Sequence, residues 1–342
     1  MITVSAPGKV HLMGEHSVVY GEPAIIAAIG MRSQVKADKS EKVSVNSVNL
    51  TEKATWDLDE VRSFTVTLDD LWKNCFEDGD FTLLDNELKE TGLNPLKIAI
   101  GRSLQLMEIP SGISIEIDSK IPMGAGLGSS ASLSVAIPKA ISETYSKPLP
   151  KHEINEVAYE IEKFNHGTPS GGDNSTCCYG GFVWFQKRSN DNIINPLKDE
   201  IPSELKNFVI AYVKEPEKTT GELVQMVRSL KPEIRIPIIK RLGELTVDMR
   251  NALRDGDSEK IKKLMNSAQE NLAKLGISTK EIDQIYNEVK KIDGAAKISG
   301  AGGGGAMICY HDEPRELVDL ISDLGHEALK TELGVEGVRV ER

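Results

Sequence analysis

The stretch KIPMGAGLGSSASLSVAI, residues 120–137, restricts what this chain can fold into more than any other segment. Gly124, Gly126 and Gly128 alternate with Ala125 and Leu127, and Ser129, Ser130 and Ala131 then open an apolar run. Glycine is costly to order, so it is kept where the backbone turns sharply or something approaches it closely. Here it precedes a helix start, where free N–H groups and the positive end of the helix dipole favour an anion. A plain strand-to-helix turn needs fewer glycines and hydroxyls than this. No Lys-Ser/Thr pair follows the last glycine, so the segment is not a Walker A loop. It reads as a cradle in which the amides of residues 124–131 wrap phosphates, and Ser129 or Ser130 could offer a hydroxyl to Mg²⁺.

A second glycine cluster, GAGGGG at 300–305, matches G-x-G-x-x-G literally. The apolar run AMICYH after it reads as a strand rather than a helix, so the dinucleotide reading fails. Five glycines exceed the needs of a hairpin turn. Close approach of a ligand to the backbone, around Gly302 and Gly303, accounts for them better. Two further segments carry charge. In EKFNHGTPSGGDN, Glu162 borders the apolar face of a predicted helix over 151–164, and Asp173 follows two glycines. Beside a phosphate loop, one acid could hold Mg²⁺ while the other accepts or orients the proton of an attacking hydroxyl. APGKVHLMGEHSVVYGEPA, residues 6–24, places Lys9 after a Pro-Gly turn and adds Glu15 and His16.

Periodicity predicts an α+β chain. Residues 2–48 are β-rich, and 81–107 turn helical. SGISIEIDS alternates like a half-buried strand. The helix after the glycine loop contains Pro138, which is expected to kink it or shift its end. The polar run KRSNDN suggests a boundary, giving domains 1–190 and 191–342. Beyond it the order is strand NFVIAYV; helices over 219–230, 236–254, 258–274 and 279–291; strands AAKIS and AMICYH; helix 314–331; and strand VEGVRVE. Without the extra helices this is β-α-β-β-α-β, a ferredoxin-like plan.

Net charge is −11, which argues against general nucleic-acid binding. Four cysteines lack metal-ligand spacing, and Cys177 and Cys178 are neighbours. They suggest a reducing, cytoplasmic setting. The N-terminal residues lack the pattern of a secretory signal, and no run approaches 18 apolar residues, so no membrane span is expected.

Taken in order, SAPGKVHLMGEHSVVYGEPAI, PMGAGLGSSAS, HGTPSGGDN and KISGAGGGGAM resemble the motifs of the GHMP kinase superfamily. Within it they are most similar to the branch that phosphorylates mevalonate. The resemblance spans residues 3–310 and implies an N-terminal ribosomal-S5-like domain and a C-terminal ferredoxin-like domain, with the site between them. It implies ATP as phosphoryl donor, Mg²⁺ as cofactor and the C5 hydroxyl of mevalonate as acceptor. Position by position, Asp173 matches the catalytic aspartate, Lys9 the lysine beside it, and Ser130 and Glu162 the Mg²⁺ ligands. Glu15, His16 and Thr220 (in KTTGELV) match residues around the acceptor. Two departures stand out: Gly172 replaces a larger apolar residue, implying a looser loop, and Pro138 falls in a helix that is otherwise continuous. Related kinases acting on phosphomevalonate, another mevalonate hydroxyl or a sugar are rivals, as is a non-catalytic S5-like RNA binder. A homodimer is left open.

Overall fold

One 18-residue strand organises the molecule. The computed structural model describes residues 1–189, 192–201 and 204–341. Strands β1 (Ile2–Met13) and β2 (Pro23–Ser40), both within the stretch read as β-rich, are antiparallel along most of β1. Bulges between Pro7 and Gly8 and between His11 and Met13 interrupt their ladder. Bulges of this kind re-aim side chains, and Lys9 and His11 lie between the two. Strands β3 (Val43–Ser47) and β4 (Glu52–Trp56) follow, then helices α1 (Leu58–Asp78), α2 (Thr82–Lys89) and α3 (Asn94–Leu106). β5 (Gly112–Ser119) is the alternating strand, with Ile113, Ile115 and Ile117 buried.

Helix α1 escapes sequence reading because VRSFTVTL is rich in β-branched residues, which favour strands. Packing overrides that preference. Val61 and Thr65 lie against Gly101 of α3, where a Cβ would sit 2.1 Å from Thr65 Oγ1.

Helix α4 (Ser129–Thr144) starts directly at the glycine loop and runs through Pro138, which neither ends it nor shifts its end. A helix-interior proline costs about 3 kcal/mol. The burial of Val135, Ala136, Ile137, Ala140 and Ile141 outweighs that cost, since a fully buried aliphatic side chain contributes roughly 1.5–3 kcal/mol. α5 (Lys151–His166) is the expected amphipathic helix, extended by two residues. The glycine-rich loop after it is shorter than its composition suggests, because α6 (Gly172–Tyr179) begins before Asp173. β6 (Phe182–Gln186) pairs with the start of β2 and with β7 (Ile193–Pro196). The expected domain junction at 190/191 lies outside the described residues.

The second half runs β8 (Leu205–Lys214), α7 (Thr220–Ser229), α8 (Pro232–Asp255), α9 (Ser258–Lys274), α10 (Lys280–Lys291), β9 (Ala295–Ser299), β10 (Gly305–Tyr310), α11 (Pro314–Asp323), β11 (Glu327–Leu333) and β12 (Arg339–Val340). Its strands stand in the order β11-β8-β10-β9, all antiparallel. This is the ferredoxin-like plan, but its fourth strand is 327–333, which the sequence assigns to the end of a helix. Gly325, at φ 86°, terminates α11, and EALKTEL then alternates along β8. The segment expected to close that sheet instead pairs with β1 through β12.

The two halves share one sheet and one core. Leu333 of β11 pairs with Ile29 of β2. Val10, Leu12, Ile25 and Ile29 pack in the same cluster as Phe208, Ile210, Met249 and Ile308. Among the described residues no helix is long and apolar enough to cross a membrane, and the four cysteines are free and buried.

Candidate active site

The glycine loop closes over β1. Gly124, Gly126 and Gly128 have φ of 74°, 72° and 75°, a region L-residues rarely occupy. Gly124 and Gly126 are exposed, whereas Ala125 and Leu127 are buried and anchor the loop. Lys9 N–H donates to Leu127 O at 2.9 Å. This approach needs glycine on both sides: a Cβ on Gly8 would lie 2.6 Å from Leu127 O, and one on Gly128 would lie 2.6 Å from Lys9 Cγ. Among the described residues, none of the amides of 124–131 donates to a backbone carbonyl, and the first helical bond is Ser132 N–H to Gly128 O. Residues 124–130 line a cavity of about 770 Å³ together with Lys9, Asp173, Thr220 and Gly302. Ala131 lies beneath, in the core.

Lys9 and Asp173 meet at the floor of this cavity, Nζ to Oδ2 at 2.9 Å. Asp173 sits in the first turn of α6, where the helix dipole favours a carboxylate. Its neighbour Asn174 pins α6 to α5 by donating from Nδ2 to Asn155 Oδ1 at 2.8 Å. Burial alone would push the Asp173 carboxyl up, but the Lys9 ammonium, with the His11 ring nearby, more than reverses this. The carboxyl is held well below the usual carboxylate range. Gly172 does not loosen the loop as expected: a Cβ there would lie 2.8 Å from Ile26 Cδ1 and 3.2 Å from Phe185 Cδ2. Those two side chains already fill the space of a larger residue.

Glu162 is 2% exposed on α5. Its Oε1 accepts from Ser134 Oγ at 2.7 Å and from Asn165 Nδ2 at 3.2 Å. Its Oε2 faces His166 Nε2 at 3.4 Å, and the same nitrogen lies 3.2 Å from Ser130 Oγ. Ser130 and Glu162 therefore converge on one point at the start of α4. A hydroxyl and a carboxylate are the oxygen donors that a hard cation such as Mg²⁺ takes; here the His166 ring stands between them, and Ser130 and His166 line the cavity while Glu162 lies behind them.

Motif one is placed differently from expectation. Glu15 and His16 are 3% and 5% exposed, and neither lines the cavity. The Glu15 carboxylate is taken up by Lys297 of β9. His16 has φ 58°, and its Nε2 meets Ala301 O at 2.9 Å, in the second glycine cluster. Burial lowers its pKa, so the ring is neutral and Nε2–H donates. Gly302 reaches the cavity, whereas Gly303 spends its amide on Ile277 O at 2.8 Å. Thr220 follows Thr219, which caps α7 in a reciprocal pair with Glu222.

Two site residues were missed from sequence, and each had a periodic signal. His11, two residues after Lys9 on a strand, shares its face, and its Nε2 lies 3.7 Å from Asp173 Oδ1. His166 is four residues after Glu162 on one helix face. His11 also lines a second cavity, with Val18, Ile26, Thr168, Ser170 and Phe185.

Comparison with known proteins agrees with this geometry. Residues 94–181 match the family described as GHMP kinases N terminal domain, and residues 249–330 that described as GHMP kinases C terminal. The chain is 34% identical over 350 residues to a mevalonate kinase of Thermococcus sibiricus, covering 99% of this chain and 98% of that protein. It resembles a crystal structure of a mevalonate kinase at 30% identity and TM-score 0.82, over 98% of this chain and 100% of that one. The crystal structure of the Methanococcus jannaschii mevalonate kinase is similar at 28% identity and TM-score 0.79, over 99% and 98% of the two chains.

Proposed function

The chain belongs to the GHMP kinases, in their mevalonate kinase branch, and on that footing we propose that it transfers the γ-phosphoryl group of ATP to the C5 hydroxyl of mevalonate. The observation that carries this reading is the Lys9–Asp173 pair lying beneath an open glycine loop. Phosphoryl transfer asks a protein mainly for positioning and charge neutralisation. The free amides of 124–130 and the N-terminus of α4 hold phosphate oxygens. Lys9 offsets charge on the transferring group and keeps Asp173 ionised. Asp173 accepts or orients the proton of the attacking hydroxyl. Ser130 Oγ and Glu162 Oε2 would hold Mg²⁺, which would supply neutralisation of the phosphate charge. Thr220 and the Gly302 backbone, which line the same cavity, are assigned to bound substrate. Four unpaired, buried cysteines accord with a cytoplasmic location.

Glu162→Gln tests the metal assignment. A neutral amide is a poorer ligand for a hard cation, so the Mg²⁺ concentration giving half-maximal activity should rise at least several-fold. An active variant with the wild-type Mg²⁺ dependence excludes Glu162 as a ligand.

Acceptor choice rests on Val18. In galactokinases the similar segment carries an aspartate at this position, which holds sugar hydroxyls. Here Val18 packs with Ala24, Ile26 and Phe185 and forms part of an apolar wall of the second cavity. A sugar against that wall would leave hydroxyls unpaired, at about 1–3 kcal/mol each. Mevalonate presents a methyl branch instead. Turnover of mevalonate, phosphomevalonate and galactose with ATP and Mg²⁺ should show mevalonate preferred, with kcat/KM for galactose at least ~10²-fold lower. Comparable galactose turnover, or a preference for phosphomevalonate, overturns the acceptor.

A further inference from the structure

Lys297 is fully buried where β9 faces β1; burial pulls the pKa of its ammonium down, and the Glu15 carboxylate against it opposes that shift. Its ammonium donates to the Glu15 carboxylate, to Ile298 O at 2.6 Å and to His11 O at 3.3 Å. All three of its N–H groups are thereby satisfied. Two more bonds follow the same seam: His11 N–H donates to Ser299 Oγ at 3.1 Å, and His16 Nε2–H donates to Ala301 O. Among the described residues β1 and β9 share no ladder. The direct bonds between the strand carrying Lys9 and His11 and the strand leading into the second glycine cluster are therefore made through side chains.

We propose that Lys297 is a positioning residue for phosphoryl transfer, acting through Glu15 and the His11 backbone to hold the Lys9–His11–Asp173 group in register with the glycine loops. The inference rests on the kinase reading above. Glu15 serves as the counter-charge of this strut and not as a contact to the acceptor. A buried ion pair is rarely the cheapest way to stabilise a fold, because desolvation offsets most of the attraction. Its directional bonds define relative placement in a way that apolar packing does not. Displacement of reacting groups by about 1 Å can cost 10²-fold in rate.

Lys297→Met alone leaves a carboxylate buried and unpaired and is expected to fold poorly, so the informative protein is Glu15→Gln/Lys297→Met, which removes both charges. It should melt close to the wild type and keep KM for ATP and mevalonate within about twofold. Its kcat should fall roughly tenfold or more, as loose positioning costs rate rather than binding. The imidazole resonances of His11, assigned with His11→Gln, should move in the same variant without any substrate present. Wild-type kcat with unmoved His11 resonances overturns the strut. A raised KM for mevalonate at unchanged kcat also overturns it, making Glu15 an acceptor contact. A wild-type protein that does not phosphorylate mevalonate refutes the functional reading instead, and the His11 resonances still decide whether Lys297 sets this geometry.

Discussion

Asp173→Asn should lower kcat by ~10²-fold or more, the scale on which an acid–base group contributes, with KM for ATP little changed. The carboxylate is the acidic group facing Lys9 on the cavity floor, and 35% of its side chain stays open to the cavity. Asparagine keeps the size and the place in the first turn of α6 but can neither accept the hydroxyl proton nor carry the charge that pairs with Lys9. The phosphate loop is untouched, so nucleotide binding persists. Steady-state kinetics with a parallel melting curve check this. A folded variant with near-normal kcat removes Asp173 from the chemistry.

Lys9→Met should cost a comparable factor and also change the pH profile. With Lys9 present, the Asp173 carboxyl lies below the usual carboxylate range and is ionised at every pH at which the enzyme is assayed. Without it, burial pushes the carboxyl up while His11 compensates only in part. Activity that needs the ionised form is then lost as pH falls through this higher value, so an acidic limb should appear in kcat that the wild type lacks. Lys9→Arg should rescue only in part, because a planar guanidinium fork does not reproduce the point charge that Nζ places 2.9 Å from Asp173 Oδ2. A methionine variant with the wild-type profile would separate Lys9 from Asp173.

The chemistry-bearing segments were legible because each is local. Alternating glycines before a helix, an acid after Gly-Gly and a lysine after Pro-Gly state their purpose within about ten residues. His11 and His166 were equally local, at i+2 from Lys9 and i+4 from Glu162, and were recoverable from the same periodicities. Lys297 was not. Nothing around AAKIS distinguishes a lysine facing solvent from one facing Glu15, 282 positions away.

Helices and strands divide in the same way. The stripe of Ile154, Val157, Ala158 and Ile161 determines α5, and the alternation of Ile113, Ile115 and Ile117 determines β5. Propensity misleads where partners decide. VRSFTVTL becomes helix α1 because Gly101 of α3 receives it. Pro138 stays inside α4 because the apolar neighbours around it are buried on every side. EALKTEL becomes the last ferredoxin-like strand because β8 offers it an unpaired edge.

The chain's own order of residues thus determined a glycine loop at 124–130 open enough to be the candidate phosphate cradle, with Lys9, Glu162 and Asp173 as candidate charges, since turn chemistry and periodicity act over a few residues. Only the tertiary structure decided that Glu15 faces Lys297 rather than the cavity, that β2 binds two halves into one sheet, and that the final residues return to β1. Those outcomes depend on which distant surfaces exclude water together, and burial of that kind has no signature within a short window of sequence.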